Sequence, residues 1–199
     1  MKMYKKVMAA ALAGVMTVSM SATAFAADDD GYILKATNED SKSSDNDLVI
    51  AIEGSVSSMD PANIPDTNAI SATRGVYETL VSFDENQELT GKLAESWEVS
   101  DDSLTYTFKL RQGVKFQDGT DFNAAAVKAN YDRVVNKDNN LRQRRTFIVT
   151  NEDGSETPRV DSIETPDDYT LVIKLTQAWA PFINRLTQFC IISPAALEE

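Results

Sequence analysis

The 199-residue chain contains no histidine and a single cysteine, and its 19 basic residues are outnumbered by 31 acidic ones. Without histidine there is no Ser-His or Cys-His catalysis, no imidazole general base and no histidine ligand for a metal. Any catalysis would fall to carboxylates, Lys or Tyr. Cys190 alone can form neither an intrachain disulfide nor a multi-cysteine zinc site. Its apolar neighbours Phe189, Ile191 and Ile192 point to a buried, inert thiol rather than a reactive one. A nucleic-acid partner needs a cationic face to displace counterions, and the shortage of basic residues excludes one. Arg142, Arg144 and Arg145 form the one basic cluster. It reads as a solvated loop, with contact to an acidic partner as the alternative.

What is present is ordinary for a folding chain: 42% hydrophobic and 8% aromatic residues, enough for one or two domains. Lys2, Lys5 and Lys6 precede an uncharged stretch from Val7 to Ala26 that is dominated by small residues and ends in Ala24, Phe25 and Ala26. That order matches a secretory signal peptide over residues 1–26, cleaved between Ala26 and Ala27, rather than a retained membrane span. No cysteine stands at the cleavage point, so lipid attachment there is not expected. Subtracting the three lysines leaves 16 basic against 31 acidic residues, a formal charge of -15 in place of -12. An exported chain without disulfides needs a hydrophobic core large enough to stand unaided. Residues 27–47 are polar and aperiodic and read as a flexible leader.

Leu48 to Ile52 form an apolar run stopped by Gly54, as expected of a buried strand, and Gly54 to Pro61 read as a loop. With Asp66 or Thr67 as N-cap, Ile70, Thr73, Tyr77 and Leu80 recur at helical spacing and predict an amphipathic helix. Trp97 and Val99 lead to a turn at Asp101 and Asp102. Beyond it Leu104, Tyr106, Phe108 and Leu110 alternate with polar residues, predicting an antiparallel strand with one wet face. Val114 and Phe116 resume the strand before a turn at Asp118-Gly119. Asn123 then caps a helix with Val127, Tyr131, Val134 and Val135 on one face, and a long polar stretch follows from Asn136. Val160 and Ile163 begin another strand, and Leu171, Ile173 and Leu175 alternate in the next. Pro181 opens a short helix, and a further helix is expected after Pro194. The pattern is α+β with a substantial antiparallel sheet.

These residues also carry a resemblance. Tyr77-Glu78, Leu93-Ala94-Glu95-Ser96-Trp97, Phe108-Lys109-Leu110-Arg111, Phe116, Asp118-Gly119-Thr120, Pro166 to Thr170, Ala180-Pro181-Phe182 and Ile192-Ser193-Pro194 occur in sequence. In that order and spacing they resemble the N-terminal part of the family 5 extracytoplasmic solute-binding proteins of ABC importers, over residues 48–199. Three positions depart from the family pattern: Gln117 replaces a frequent His, Asp121 a usual Pro, and Ala126 a common acidic residue. The resemblance implies a periplasmic-binding-protein-like fold of type II in the three-subdomain class. Residues 48–79 would begin the core subdomain, 80–192 form the accessory subdomain, and 193–199 return to the core lobe; the second lobe would be missing, making the chain a fragment.

The resemblance further implies structural roles for Trp97, Phe108, Arg111, Asp118 and Gly119. Trp97 and Phe108 would pack the sheet, Arg111 would close a salt bridge or bind backbone carbonyls, and Asp118-Gly119 would turn a hairpin. Ser55, Val56, Ser57 and Ser58 would lie at the interlobe cleft, where they either contact ligand through backbone groups or form an ordinary turn. No metal site, cofactor or catalytic residue is implied. The expected function is capture of a small solute, a short peptide foremost, outside the membrane and its delivery to ABC permease subunits. Alternatives are a nickel chelate or an oligosaccharide as solute, loss of tight binding in a chain without its second lobe, or a secreted carboxylate hydrolase using Asp101 with Asp102 or Glu95 with Glu98. Adjacent strand positions face opposite ways, which argues against converging carboxylates.

Overall fold

A computed structural model describes residues 54–64 and 66–197, which fall within one unit, Ile52–Glu199. The expected signal peptide, polar leader and Leu48–Ile52 strand lie outside the described residues. Asp66 caps helix α1 (Thr67–Thr73) by accepting from the Ala69 amide at 2.8 Å. After α1 come the short strands β1 (Glu78–Thr79), β2 (Val81–Phe83) and β3 (Leu89–Gly91), with β2 and β3 forming a hairpin. The helix expected to run through Tyr77 and Leu80 therefore stops at Thr73. The Thr73 hydroxyl bonds back to the carbonyls of Ala69 and Ile70, and the amides of Val76 and Tyr77 both close on the Thr73 carbonyl. With β-branched Thr73 and Val76 around Gly75, the sequence offers little to prolong a helix. Ile70, expected on the buried face, is 41% exposed.

The centre of the fold is a four-stranded antiparallel sheet of order β4-β5-β9-β8, built from β4 (Ala94–Val99), β5 (Thr105–Leu110), β9 (Thr170–Leu175) and β8 (Val160–Asp167). The period-2 pattern read from the sequence determines its faces. Tyr106, Phe108 and Leu110 of β5 and Leu171, Ile173 and Leu175 of β9 are buried, while Thr107, Lys109 and Lys174 occupy the wetter side. Trp97 sits opposite Phe108 in the register and packs half-buried against the core. At the open edge, β4 carries exposed Glu95 and Glu98 and a bulge between Ala94 and Ser96, which discourage pairing with another chain.

Helix α2 (Ala124–Val135) supplies Val127, Tyr131 and Val134 to that core, and its first turn is capped by Asn123 accepting from the Ala126 amide at 2.9 Å. The polar stretch after Asn136 is more structured than expected: it holds α3 (Arg144–Phe147) and the hairpin β6 (Ile148–Thr150) with β7 (Glu156–Pro158). Phe147 turns inward, 1% exposed, and meets Tyr131 and Phe189 edge-on at 5.4 and 5.3 Å between ring centres. Helix α4 (Phe182–Leu186) buries Phe182 and Leu186. Val114 and Phe116 do not form the expected strand; one bridge between Lys115 and Asp121 closes the turn instead. After strand β10 (Cys190–Ile191), which pairs with β1, the helix expected beyond Pro194 is a single 3-10 turn, Ala195–Leu197.

Cys190 is half-buried, and burial pushes its thiol up to about 11 despite the nearby charge of Arg74. At pH 8 its thiolate fraction is then very small. Disulfide-exchange labelling of the native chain is expected to run about a hundredfold more slowly than in concentrated urea. Equal rates in the two conditions would show the thiol to be open.

Candidate functional site

The residues singled out for solute contact lie in the segment before α1. Gly54, with φ of 105°, starts the loop in a conformation that favours glycine, and a Cβ there would come within 2.6 Å of the Asn68 amide nitrogen. Ser55, Val56 and Ser57 are exposed and Ser58 is half-buried. The hydroxyls of the serines at 57 and 58 point back into the fold: Ser57 donates to the Asp66 carboxylate at 2.7 Å, and Ser58 accepts from the Asp60 amide at 3.1 Å. Among the described residues, the backbone amides and carbonyls of Ser55 to Met59 make no hydrogen bond. Those groups stand available to a ligand with its own donors and acceptors.

What holds this loop in place was not visible in the sequence. Asp60 forms a two-pronged ion pair with Arg133 of α2 at 2.7 and 3.2 Å, its side chain about a quarter exposed. The Asp60 carboxylate also caps the 3-10 turn Pro61–Asn63. The Gln143 amide donates to the Ala62 carbonyl at 3.0 Å, and the Gln143 side chain donates to the Gln188 carbonyl at 2.7 Å. The loop is therefore pinned to α2 and to the segment before α3 by partners far away in sequence. A lone Asp before Pro and a lone Arg on a helix give no signal of such a pairing.

The motif residues lie as follows. Phe108 is fully buried, and Arg111 donates through Nε to the Lys92 carbonyl at 3.1 Å. Gly119 has φ of 86°, as the turn requires, and Asp118 does more than form the turn. Its carboxylate accepts from the Thr120 amide at 2.8 Å, from the Thr120 hydroxyl at 2.6 Å and from the buried Ser193 hydroxyl. The Asn130 side chain, 3% exposed, donates to Ile192 and Ala126 carbonyls at 2.7 and 2.9 Å and accepts from the Ile192 amide at 3.0 Å. With β10 paired to β1, residues 190–193 are thus held by a strand, an amide clamp and a carboxylate staple.

Hydrogen bonds from Ser193 and Thr120 hold the Asp118 carboxyl below its ordinary value of 3.8. A carboxyl lowered in the folded state contributes stability above its unfolded pKa and loses it as pH falls through the lower folded value. The urea midpoint is accordingly expected to drop below about pH 3.8, and to drop less steeply for Asp118→Asn. Identical acid limbs for the two proteins would remove Asp118 from the explanation.

The other candidates separate. Arg144 is no solvated residue: its guanidinium grips Glu156 at 2.7 and 2.8 Å and its Nε donates to the Val135 carbonyl, while Arg142 and Arg145 are exposed. Asp101, Asp102, Glu95 and Glu98 are all exposed, and the Asp102 carboxylate is committed to its turn through Ser100 and Leu104. No group of three or more His, Cys, Asp or Glu side chains able to hold a metal occurs among the described residues.

The family model for the middle region of the bacterial extracellular solute-binding proteins, family 5, matches residues 88–198, more than half of the chain. The chain belongs to this family. It is 37% identical over 188 residues to the glutathione-binding protein GsiB of Escherichia coli K12, covering 94% of this chain and 31% of GsiB. The chain thus spans about a third of the length of the curated relatives it matches. Among solved structures, it is similar to the periplasmic binding protein DppA of Helicobacter pylori in complex with the peptide STSA: 30% identity, TM-score 0.57, covering 71% of this chain and 30% of that one. It is also similar to the Escherichia coli murein tripeptide binding protein MppA, with 27% identity, TM-score 0.64, and coverage of 74% and 30%. The α+β architecture is that of family 5 periplasmic binding proteins, in the portion this chain spans.

Proposed function

We propose that this chain is part of the extracytoplasmic solute-binding component of an ABC importer, one that captures short peptides noncovalently and presents them to the permease. The carrying observation is the run of unpaired backbone groups at Ser55 to Met59, fixed in position by the Asp60–Arg133 ion pair. A peptide brings a matching series of N–H and C=O groups, and pairing with a pinned segment loses little order on binding. Glutathione, the peptide STSA and a murein tripeptide, each named for one of these relatives, support the same solute class. Binding without chemical conversion is the whole of the proposed activity.

The proposal includes export by the N-terminal segment, with cleavage between Ala26 and Ala27. It also divides the chain into a core piece, 48–79, an accessory subdomain, 80–192, and a return at 193–199. Pairing of β1 with β10 supports that division, because it sets the end of the core piece, Glu78–Thr79, beside the end of the accessory piece, Cys190–Ile191. Calorimetry of the chain with glutathione and other di- to pentapeptides is expected to show saturable binding, and sugars or metal chelates none. Val56→Pro, which removes one backbone donor at an exposed position, is expected to weaken peptide binding about tenfold without moving the urea midpoint by more than a few tenths of a molar. A response to sugars or chelates with silence toward peptides would sink the assignment.

A further inference from the structure

A cleft of 360 Å³ lies where the connector between α1 and β1 meets the turn that follows β5. Its floor is apolar: Leu93, Phe122 and Ile191 are each under 5% exposed, with Val114 and Phe116 beside them. Val76, on the wall, is 42% exposed although its neighbours in the cleft are hydrophobic. The two walls are tied together by Gln117, whose side-chain amide donates to the Val76 carbonyl at 2.8 Å across 41 positions of sequence. None of Ser55 to Ser58 lines it.

The rim carries opposite charges that are not spent on each other. Arg74 and Glu78 both line the cleft, and while their backbones are bonded to Ile70 and paired with β10, neither side chain makes a hydrogen bond or ion pair among the described residues, nor does the Tyr77 hydroxyl. The other cation on the rim, Lys115, is already occupied by Asp121 at 2.5 Å. A concave apolar floor with a few convergent polar groups is the usual form of a small-molecule site, and such sites start at about 300 Å³. Here the polar groups include the Arg74 guanidinium, whose charge also reaches the Cys190 thiol, and the Glu78 carboxylate, neither engaged in an ion pair among the described residues.

We infer that this cleft is a second ligand site, distinct from the Ser55–Met59 segment, and that it takes a free α-amino acid with an apolar side chain. Arg74 receives the carboxylate, Glu78 the ammonium group, and the side chain covers Val76 and the Leu93, Phe122 and Ile191 floor. A dianion would leave one charge facing Glu78, and a fatty acid would leave Glu78 without a partner; both are disfavoured on charge alone. Because Glu78 belongs to β1 and Ile191 to β10, a bound ligand touches both strands of that pair and stabilises their pairing. The inference does not depend on the peptide assignment.

Titration of the ¹⁵N-labelled chain with L-leucine, followed by amide NMR, tests it. Saturable shifts are expected at Val76, Val114, Phe116 and Ile191 with a Kd of about 1 mM or tighter. Leucinamide, lacking the carboxylate, and 4-methylpentanoate, lacking the amine, are each expected to bind about tenfold more weakly, and glycine not to saturate. Arg74→Ala and Glu78→Gln, both at exposed positions, are expected to weaken leucine about tenfold while leaving the remaining spectrum unchanged, and Arg74→Lys to recover part of the loss. The site is overturned by an absence of saturation at tenfold higher leucine, by binding indifferent to both substitutions, or by shifts confined to Ser55–Met59. None of these outcomes bears on the peptide titration, which is read at a different place.

Discussion

Replacing Phe147 by alanine is expected to lower the unfolding free energy by about 3–5 kcal/mol, the largest effect of any single change considered. Phe147 is 1% exposed and joins three separate pieces of the fold: it closes α3, meets Tyr131 of α2 edge-on, and meets Phe189 just before β10. Removing the ring forfeits the transfer energy of its carbons, leaves a cavity among close-packed neighbours, and breaks two aromatic contacts worth about 0.5–1.5 kcal/mol each. Against a typical domain stability of about 5–15 kcal/mol, such a loss is a large share. Urea unfolding at pH 7 measures it. Phe83→Ala, at a position 43% exposed, serves as the control and is expected to change stability by about 0.5 kcal/mol or less. A loss below about 1 kcal/mol for Phe147→Ala would show that the site collapses around the missing ring.

Asn130→Ala is expected to cost about 2–4 kcal/mol, for a different reason. The amide side chain stands in for a strand, exchanging hydrogen bonds with both the N–H and the C=O of Ile192 from the middle of a helix. Alanine leaves both backbone groups without a partner at a position 62 residues away, and each abandoned group costs about 1–3 kcal/mol. The Asn130→Asp variant separates this account from simple loss of packing. Its carboxylate can accept from the Ile192 amide but cannot donate to the carbonyl, and it places a charge at a site 3% exposed. Its deficit at pH 7 is expected to shrink as pH falls and the carboxyl takes up a proton it can donate. A deficit independent of pH would mean that shape, not hydrogen bonding, is what Asn130 supplies.

These two residues also mark where sequence reasoning reaches its limit. The alternation of Tyr106, Phe108 and Leu110, and of Leu171, Ile173 and Leu175, names the buried face of β5 and β9 without help from the fold, because a strand's period is local. Asn123 as a helix cap and Asp118-Gly119 as a turn are equally local, and both stand as read. Phe147 was lost in a polar stretch because one aromatic among charged residues has no period. The helix extended past Thr73 failed because four residues at helical spacing also fit a short helix followed by strands, and only pairing of Glu78 and Thr79 with Ile191 and Cys190 decides between them.

The site shows the same division. That Gly54 to Pro61 form a loop is written in their small and polar side chains, and a ligand contact at Ser55 to Ser58 is an expectation drawn from the resemblance alone. That the loop is held by Arg133, 73 positions from Asp60, is not written anywhere nearby. A surface Asp and a helical Arg have many possible partners, and the choice between them is made by the packing of α2 on the sheet.

The sequence by itself determined the class of protein: acidic, without histidine or cysteine pairs, α+β, and carrying family 5 motifs whose spacing survives because turns, caps and strand periods are short-range. Tertiary structure alone decided how residues 190–193 are gathered by Asn130, Asp118 and β1, which arginine is spent on Glu156, and that Arg74 and Glu78 line one cleft with an apolar floor. The contacts to 190–193 join residues far apart in sequence, 62 positions for Asn130 and Ile192 and 75 for Asp118 and Ser193, and their free energies come from burial and geometry that exist only once the core has closed.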